Sequence, residues 1–298
     1  MKKIQLNLFF IVIILVVSCS INTEVDTAYG VFERTIPGIK NHIILEKIEK
    51  KGLNDVFELE TIDNKVIIRG SSGVAMTSGF NYYLKNYCNV HISWCGKQVK
   101  MPKKIPQIKE TIRIETPYQN RYYFNYCTFG YTMAFWDWER WEKEIDWMAL
   151  QGINMPLAIT GHEVVLKNVY KQLNLSNEDI KKFISGPSYL PWFMMGNLDG
   201  FGGPLPDIWF EEQEELQKKI LERQRALGMK PVLPAFTGHV PKEIVKYYPN
   251  AKITKMDSWG GFESTYILSA KDKLFLKIGQ LYINETIKLF GTDHLYSA

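Results

Sequence analysis

The feature that most constrains the fold of this chain is a regular alternation of strand-like and helix-like segments after residue 120. The strand patterns lie at 121–126, 154–159, 231–236 and 294–298, and the long helical patterns lie at 137–152, 207–227 and 274–289. This alternation predicts a parallel sheet whose strands are joined by helices. A closed (β/α)8 barrel typically needs about 250 residues, and about 180 are found here. We therefore predict an incomplete (β/α)8 TIM-type barrel over residues 118–298.

The first helical segment of this barrel carries its own boundary signals. Asp137 precedes the segment and can cap its free N–H groups. Trp138, Trp141 and Ile145 then recur at helical spacing, so that one face is apolar. Gly152 follows at the position where helices favour a glycine. The sequence therefore predicts where this helix begins and ends.

The chain before residue 105 has a different pattern. Strand patterns at 41–49, 56–62 and 65–69 are followed by a helical pattern at 74–87 and a strand pattern at 90–94. Asp63 and Asn64 separate two of the strands and favour a tight hairpin turn. A helix on a small, mostly antiparallel sheet predicts an α+β domain over residues 24–105. Prolines at 102, 106 and 117 predict a linker, so the fold class is α/β with a small α+β domain before the barrel.

Residues 1–19 resemble an export signal. Lys2 and Lys3 precede an apolar run at 8–17 that is too short for a comfortable membrane-spanning helix. The run ends in VVSC at 16–19, which resembles a bacterial lipobox. We therefore predict a lipoprotein signal peptide, with Cys19 as the lipid attachment point, and an exported, membrane-anchored protein of the periplasm or cell surface. An uncleaved anchor and a plain signal peptide are the alternatives.

Composition argues against several classes of function. The 298 residues include 36 basic and 32 acidic side chains, and basic residues adjoin one another at most in pairs. Nucleic-acid binding needs clustered positive charge, so it is not predicted. Three cysteines follow the signal, Cys88, Cys95 and Cys127, and they form no CxxC pair that would predict a metal site. Cys88 and Cys95 can pair in an oxidising compartment, and reduced buried thiols are the alternative. No phosphate-loop or dinucleotide motif occurs, and no cofactor is predicted.

In a barrel, functional residues lie where the strands end and the loops to the helices begin. The first strand ends near Asn125, and a loop rich in glycine and aromatic residues lies at 186–206. Such loops are functional more often than they are plain connectors. Trp192 and Trp259 are candidates to stack on a sugar ring, and Asn125 can both donate and accept hydrogen bonds. Aromatic residues make up 13% of the chain, and aromatic faces suit the apolar faces of sugar rings. Core filling is the alternative for any single aromatic residue, because Phe, Tyr and Trp bury large areas wherever they lie.

Three titratable residues also lie near predicted strand ends. His162, Glu163 and His239 have the chemistry of acid or base catalysts. A single histidine at a strand end is more often a hydrogen-bonded structural residue, so a structural role is favoured for each.

Six strings carry a family resemblance. They are RYYFNYCT at 121–128, FWDWERWEKEIDWMALQGIN at 135–154, MGNL at 195–198, GPLP at 203–206, PVLPAFTGHVP at 231–241 and FGTDHLY at 290–296. They resemble the barrel of the α-N-acetylglucosaminidases, glycoside hydrolase family 89. The residues before 105 resemble the small N-terminal domain of that family. The resemblance covers nearly everything after the signal, which argues strongly against an unrelated structural lipoprotein.

The resemblance implies an exo-acting retaining glycoside hydrolase that releases terminal α-linked N-acetylglucosamine from glycans. It also implies that six residues line the pocket around the terminal sugar: Asn125, Cys127, Tyr131, Trp192, Met195 and Trp259. The residue types fit these roles, because tryptophan covers ring faces, asparagine bonds polar groups, and cysteine and methionine pack closely.

A retaining glycosidase needs two carboxyl groups roughly 5–5.5 Å apart. In the family, the strand that matches 294–298 continues into an Asp-x-Phe-Asn-Glu motif whose Glu is the acid/base, and the nucleophile lies further on. Both are therefore expected beyond Ala298, and we expect the 298-residue chain to be inactive alone. A surface-tethered glycan-binding lipoprotein without hydrolysis is the second hypothesis, because the same pocket residues would serve it.

Overall fold

The computed structural model describes residues 23–50 and 52–298, so the predicted signal peptide and Cys19 lie outside the described residues. The chain divides into two compact units. The first comprises the residues up to 121 together with 146–154 and 226–229, and the second comprises 122–145, 155–225 and 230–298. No helix in the described part of the chain is both long and apolar enough to cross a membrane.

The first unit contains a four-stranded sheet with helices. Its elements are α1 (Thr23–Thr35), β1 (Ile43–Lys47), β2 (Val56–Ile62), β3 (Lys65–Gly70), α2 (Gly73–Tyr87), β4 (His91–Ile92), β5 (Lys97–Gln98) and β6 (Ile112–Glu115). The strand order is β1-β3-β2-β6, and only β1 and β3 of these neighbours run parallel. Helix α2 packs on β2 and β3, and α1 packs on α2 through the stacked rings of Phe32 and Phe80. This is the α+β arrangement that the sequence predicts.

The hairpin of β2 and β3 turns as predicted. Asp63 and Asn64 have φ angles of 48° and 62°, both in the left-handed region that a two-residue hairpin turn requires. The linker prediction is wrong for 112–115, where β6 pairs antiparallel with β2. Helix α1 was also not predicted. Both elements are held by packing on neighbours that are distant in sequence, which a local pattern does not reveal.

Two later stretches of chain belong to the first unit. The guanidinium of Arg34 donates two hydrogen bonds, of 2.6 and 2.8 Å, to the carboxylate of Asp146. Gly73 lies directly against Leu227, and a Cβ at Gly73 would come within 2.8 Å of the Leu227 carbonyl oxygen. Glycine is therefore needed at this contact.

From residue 122 onward, strands and helices alternate. The elements are β7 (Tyr122–Tyr123), α3 (Tyr126–Thr128), α4 (Trp138–Leu150), β8 (Met155–Pro156), α5 (His162–Gln172), α6 (Asn177–Phe183), α7 (Leu190–Met194), α8 (Asp207–Ala226), β9 (Leu233–Pro234), β10 (Ile253–Lys255), β11 (Tyr266–Leu268), α9 (Lys273–Phe290) and β12 (Tyr296–Ser297). Strand β7 pairs parallel with β8, and β9 pairs parallel with β12. Leu157 and Val232 form a parallel bridge beside β8 and β9. The four strands thus follow one another in chain order, as in the first part of a TIM barrel.

The barrel strands pair over fewer residues than their sequence patterns predict. Pro156 and Pro234 lie within the paired stretches, and proline has no N–H to donate to a ladder. The long helices match their predictions closely, and Oδ1 of Asp137 accepts from the Arg140 N–H at 2.9 Å as the predicted cap. The antiparallel pair β10 and β11 lies between β9 and α9 and was not predicted.

The apolar core of the second unit supports the loops at its strand ends. Helices α5 and α9 pack against each other. Val165, Val169, Phe193 and Ile278 are fully buried in this core. Because Phe193 belongs to α7, the core anchors the glycine-rich segment at 186–206 from within.

Candidate functional site

An open cleft lies at the carboxyl ends of the barrel strands. Tyr126 follows β7 into the cleft, Thr237 and His239 follow β9, and Met194 and Tyr282 complete its wall. Burial raises the pKa of the Tyr126 phenol, and a hydrogen bond with Ser297 of β12 partly offsets this rise. Among the described residues, no aspartate or glutamate lines this cleft.

Asn125 lies where β7 ends, next to a strained residue. Its side-chain oxygen accepts hydrogen bonds from the backbone N–H and the hydroxyl of Thr128, at 3.1 and 3.0 Å. Phe124, directly before it, has a φ of 79°, which is rare for a bulky side chain. The buried Phe124 ring contacts the rings of Phe129 and Trp141, which hold this conformation. Strained residues of this kind concentrate at functional sites.

Two predicted pocket residues are in direct contact. The rings of Tyr131 and Trp192 meet edge to face with their centroids 5.0 Å apart. Gly130 makes room for the indole, because a Cβ there would come within 2.4 Å of the Trp192 ring. Tyr131 remains 78% exposed, so most of its ring is free to meet a ligand.

Cys127 and Met195 lie close to this pair along the chain and in space. Cys127 is a half-buried free thiol on α3, and α3 packs against α7, which carries Trp192. Met195 follows α7 directly and is exposed. The structure thus brings five of the six predicted pocket residues onto two adjoining segments, 125–131 and 192–195.

Trp259, the sixth, lies on the segment between β10 and β11. Its ring stacks on Phe262 with an interplanar angle of 12°, and Phe262 meets Phe201 edge to face at 4.8 Å. Thr265 donates from its hydroxyl to the backbone oxygen of Gly196 at 2.7 Å. Trp259 is therefore tied to the 186–206 loop through its neighbours, and the roles of all six residues in sugar binding remain predictions.

His162 and Glu163 are buried beneath the loops. Nδ1 of His162 lies 3.2 Å from the Tyr282 hydroxyl, and burial lowers the pKa of the imidazole to about 3. The indole N–H of Trp209 donates to Oε1 of Glu163 at 2.7 Å. Burial raises the pKa of Glu163 to about 7. Both groups are at most 1% exposed, which favours the structural interpretation.

His239 makes a contact that the sequence did not reveal. Its Nε2 lies 2.6 Å from Oδ1 of Asp199, forty residues earlier in the chain. The sequence analysis also missed Tyr126, Trp209 and Tyr282. Tyr126 directly follows Asn125 at the end of a strand, and this position is a signal that could have identified it. Trp209 and Tyr282 lie on helices that are distant in sequence from the residues they contact, so no local signal marks them.

Metal-ligating groups and thiols are dispersed. In the described ranges 23–50 and 52–298, no three His, Cys, Asp or Glu side chains cluster as they would around a metal ion. Cys88 is buried and Cys95 is exposed, and both are free thiols. The two thiols are therefore unpaired in this structure, and the predicted burial is found for Cys88 but not for Cys95.

Two family models match the chain. The "Alpha-N-acetylglucosaminidase (NAGLU) N-terminal domain" matches residues 26–107, and the "Alpha-N-acetylglucosaminidase (NAGLU) tim-barrel domain" matches residues 121–298. Human alpha-N-acetylglucosaminidase is 45% identical over 238 residues, which are 78% of this chain and 32% of the human protein.

Solved structures agree with the sequence matches. A family 89 glycoside hydrolase from Clostridium perfringens, bound to 2-acetamido-1,2-dideoxynojirimycin, superimposes with a TM-score of 0.88 at 38% identity. The same enzyme bound to its substrate GlcNAc-alpha-1,4-galactose gives the same values. Each match covers 92% of this chain and 32% of the clostridial chain, so this chain spans about a third of the relatives' length. A Flavobacterium johnsoniae chitobiase, at 13% identity and a TM-score of 0.50, shares the fold alone.

Proposed function

This chain belongs to the α-N-acetylglucosaminidase family, and from this membership we propose that the complete protein is an exo-acting retaining glycoside hydrolase that releases terminal α-linked N-acetylglucosamine. One observation carries the proposal. The clostridial structure that matches 92% of the chain holds GlcNAc-α-1,4-galactose as its substrate. The loops that carry the six predicted pocket residues lie within residues 121–298, which match the barrel domain of the family.

In this proposal, the described residues supply recognition of the terminal sugar. Tyr131, Trp192 and Trp259 offer aromatic faces to the apolar faces of the pyranose ring. Asn125 offers the N–H groups of its amide as donors to hydroxyl and acetamido oxygens, because its side-chain oxygen already accepts two bonds from Thr128. Cys127 and Met195 add close apolar contact. None of these groups is a carboxyl, and the retaining mechanism of most glycoside hydrolases uses a pair of carboxyls as nucleophile and acid/base.

The catalytic carboxyl groups are proposed to lie outside these 298 residues. Retaining hydrolysis needs two carboxyls about 5–5.5 Å apart. The six predicted pocket residues do not line the described cleft, and neither those six residues nor the wall of the cleft includes an aspartate or a glutamate. We expect the purified 298-residue chain to bind an aryl α-N-acetylglucosaminide without cleaving it. Release of the aryl alcohol above the uncatalysed rate would refute this division of roles.

The complete protein offers the direct test of the reaction. It should release N-acetylglucosamine from the same aryl glycoside, and NMR should show the α-anomer forming first because retention needs two inversions. The β-anomer as first product would refute retention. Failure to release any N-acetylglucosamine would refute the proposed activity.

A glycan-binding lipoprotein without hydrolysis is the second candidate. The exposed aromatic rings of Tyr131 and Trp259 favour it, because aromatic faces can bind a sugar without a carboxyl group. Cooperative folding and sugar binding by the 298-residue chain, together with an inactive complete protein, would support this second function over the first.

Export and anchoring form a separate proposal. The proposed glycan partners lie outside the cytoplasm, and the VVSC string at 16–19 offers Cys19 for a lipid that tethers the protein to a membrane. Cys19→Ser should move the protein from the membrane fraction to the soluble fraction of lysed cells. Membrane association that is unchanged by Cys19→Ser would refute the lipid anchor.

A further inference from the structure

The hydrogen bond between His239 and Asp199 has no part in the proposed chemistry. Nε2 of His239 lies 2.6 Å from Oδ1 of Asp199, and the imidazole donates because a carboxylate only accepts. The His239 side chain is 7% exposed and that of Asp199 22%. Partial shielding from water strengthens a hydrogen bond to a charged group. The bond therefore links two loops that are far apart in sequence.

The histidine itself is firmly held. The hydroxyl of Tyr170 donates to the His239 backbone oxygen at 3.0 Å, and the His239 backbone bridges Ile267 of β11. Its ring contacts the rings of Phe183 and Phe193, with centroids 4.8 and 5.2 Å away. A side chain held by backbone and ring contacts loses little further entropy when it binds a partner. The contacts of His239 therefore fix the position of its imidazole before it bonds Asp199.

The other partner belongs to the loop at 186–206, which also carries Met195. His239 contacts this loop twice. Its imidazole bonds Asp199, and Gly196, directly after Met195, lies beside it, since a Cβ on Gly196 would be 3.8 Å from Cβ and Cγ of His239. The backbone at Gly196 has a φ of 77°, so this turn keeps its shape best with glycine.

We propose that His239 is a positioning residue for the terminal-sugar subsite: its bond to Asp199 holds the loop that presents Trp192 and Met195. This inference rests on the proposed function, because that function gives the two loop residues their ligand. In this proposal His239 acts through the loop, and its role requires neither contact with the sugar nor proton transfer.

Four variants of the 298-residue chain separate positioning from general stability. His239→Phe keeps a planar ring between the neighbouring phenyl rings and removes the donor. His239→Gln keeps a donor near the Nε2 position. Asp199→Ala removes the acceptor from a partly exposed site, where misfolding is less of a risk, and Asp199→Asn keeps an acceptor without the charge.

Hydrogen exchange and sugar affinity are the two measurements. We expect the 195–203 peptide to exchange roughly tenfold faster in His239→Phe and Asp199→Ala, as loss of a hydrogen bond to a charged group implies. Exchange in α4 should be unchanged. Affinity for the methyl α-glycoside of N-acetylglucosamine should fall at least about threefold, and His239→Gln should restore most of both losses.

Two results would overturn the inference. If the 195–203 peptide exchanges at the wild-type rate in both His239→Phe and Asp199→Ala, the bond does not hold the loop. Faster exchange with unchanged sugar affinity would show that the loop does not need holding for binding. A third result would refute the proposed function instead. If the wild-type chain binds no glycoside although its 195–203 peptide exchanges slowly, the described residues do not recognise the sugar and the subsite assignment fails.

Discussion

We expect Glu163→Gln to stabilise this chain above neutral pH and to leave it nearly unchanged in acid. Glu163 is 1% exposed, and its only side-chain hydrogen-bond donor among the described residues is the indole N–H of Trp209. Glutamine keeps the oxygen that accepts this bond and has no charge to bury. The substitution therefore removes the ionisable group at position 163 and retains the shape of the side chain.

The size of the expected stabilisation follows from the pKa of Glu163, which burial raises from 4.5 to about 7. Between these values the folded chain keeps a proton that the unfolded chain has released, so the free energy of unfolding falls as pH rises. The contribution of the neutral carboxyl is fully present below about pH 4.5 and lost above about pH 7. At about 1.4 kcal/mol for each pH unit, the loss is roughly 3 kcal/mol.

Urea unfolding followed by circular dichroism at pH 5, 6, 7 and 8 measures this directly. The stability of the variant minus that of the wild type should rise with pH and level off near pH 7. Glu178→Gln is the matched control, since Glu178 is an exposed glutamate whose replacement should give a difference nearly independent of pH. A Glu163→Gln difference that is equally flat from pH 5 to pH 8 would refute the reasoning.

Three further predictions concern separate contacts. Trp259→Ala should weaken binding of the methyl α-glycoside about tenfold by isothermal titration, with little change in thermal midpoint because the ring is 44% exposed. Gly130→Ala should displace the Trp192 ring, whose nearest atom would lie 2.4 Å from the new Cβ, and should weaken the same binding; unchanged affinity would contradict this. Arg34→Ala should lower the free energy of unfolding by roughly 1–3 kcal/mol in urea, because it leaves the Asp146 carboxylate, only 7% exposed, without its bidentate partner.

The long helices and the hairpin turn could be predicted from the sequence because their signals lie in neighbouring residues. Helices α8 and α9 have an apolar stripe, and the hairpin turn at Asp63 and Asn64 needs only two residues to specify it. The parallel strand order followed from the alternation of elements. Strand β6 was missed because its four residues form a strand only when β2 lies beside them.

The candidate site was predictable only in part. Asn125 and Trp192 stand out because strand ends and glycine-rich loops concentrate function. The partners that hold such residues do not stand out, since the bond between His239 and Asp199 spans forty positions and that between Glu163 and Trp209 spans 46. Contacts over such separations form only when the chain folds, and a single sequence has no local pattern that reveals them.

The contact of Gly73 with Leu227 has a consequence for biosynthesis. The first unit is discontinuous in the chain, because it includes 146–154 and 226–229 as well as the residues before 121. Roughly 110 residues separate 121 from 229, so at about 5–20 residues per second the ribosome needs about 5–20 s to supply the last segment. During that interval, the nascent N-terminal sheet and helices lack part of their own core. An expression fragment that stops at residue 121 would remain permanently in that incomplete state.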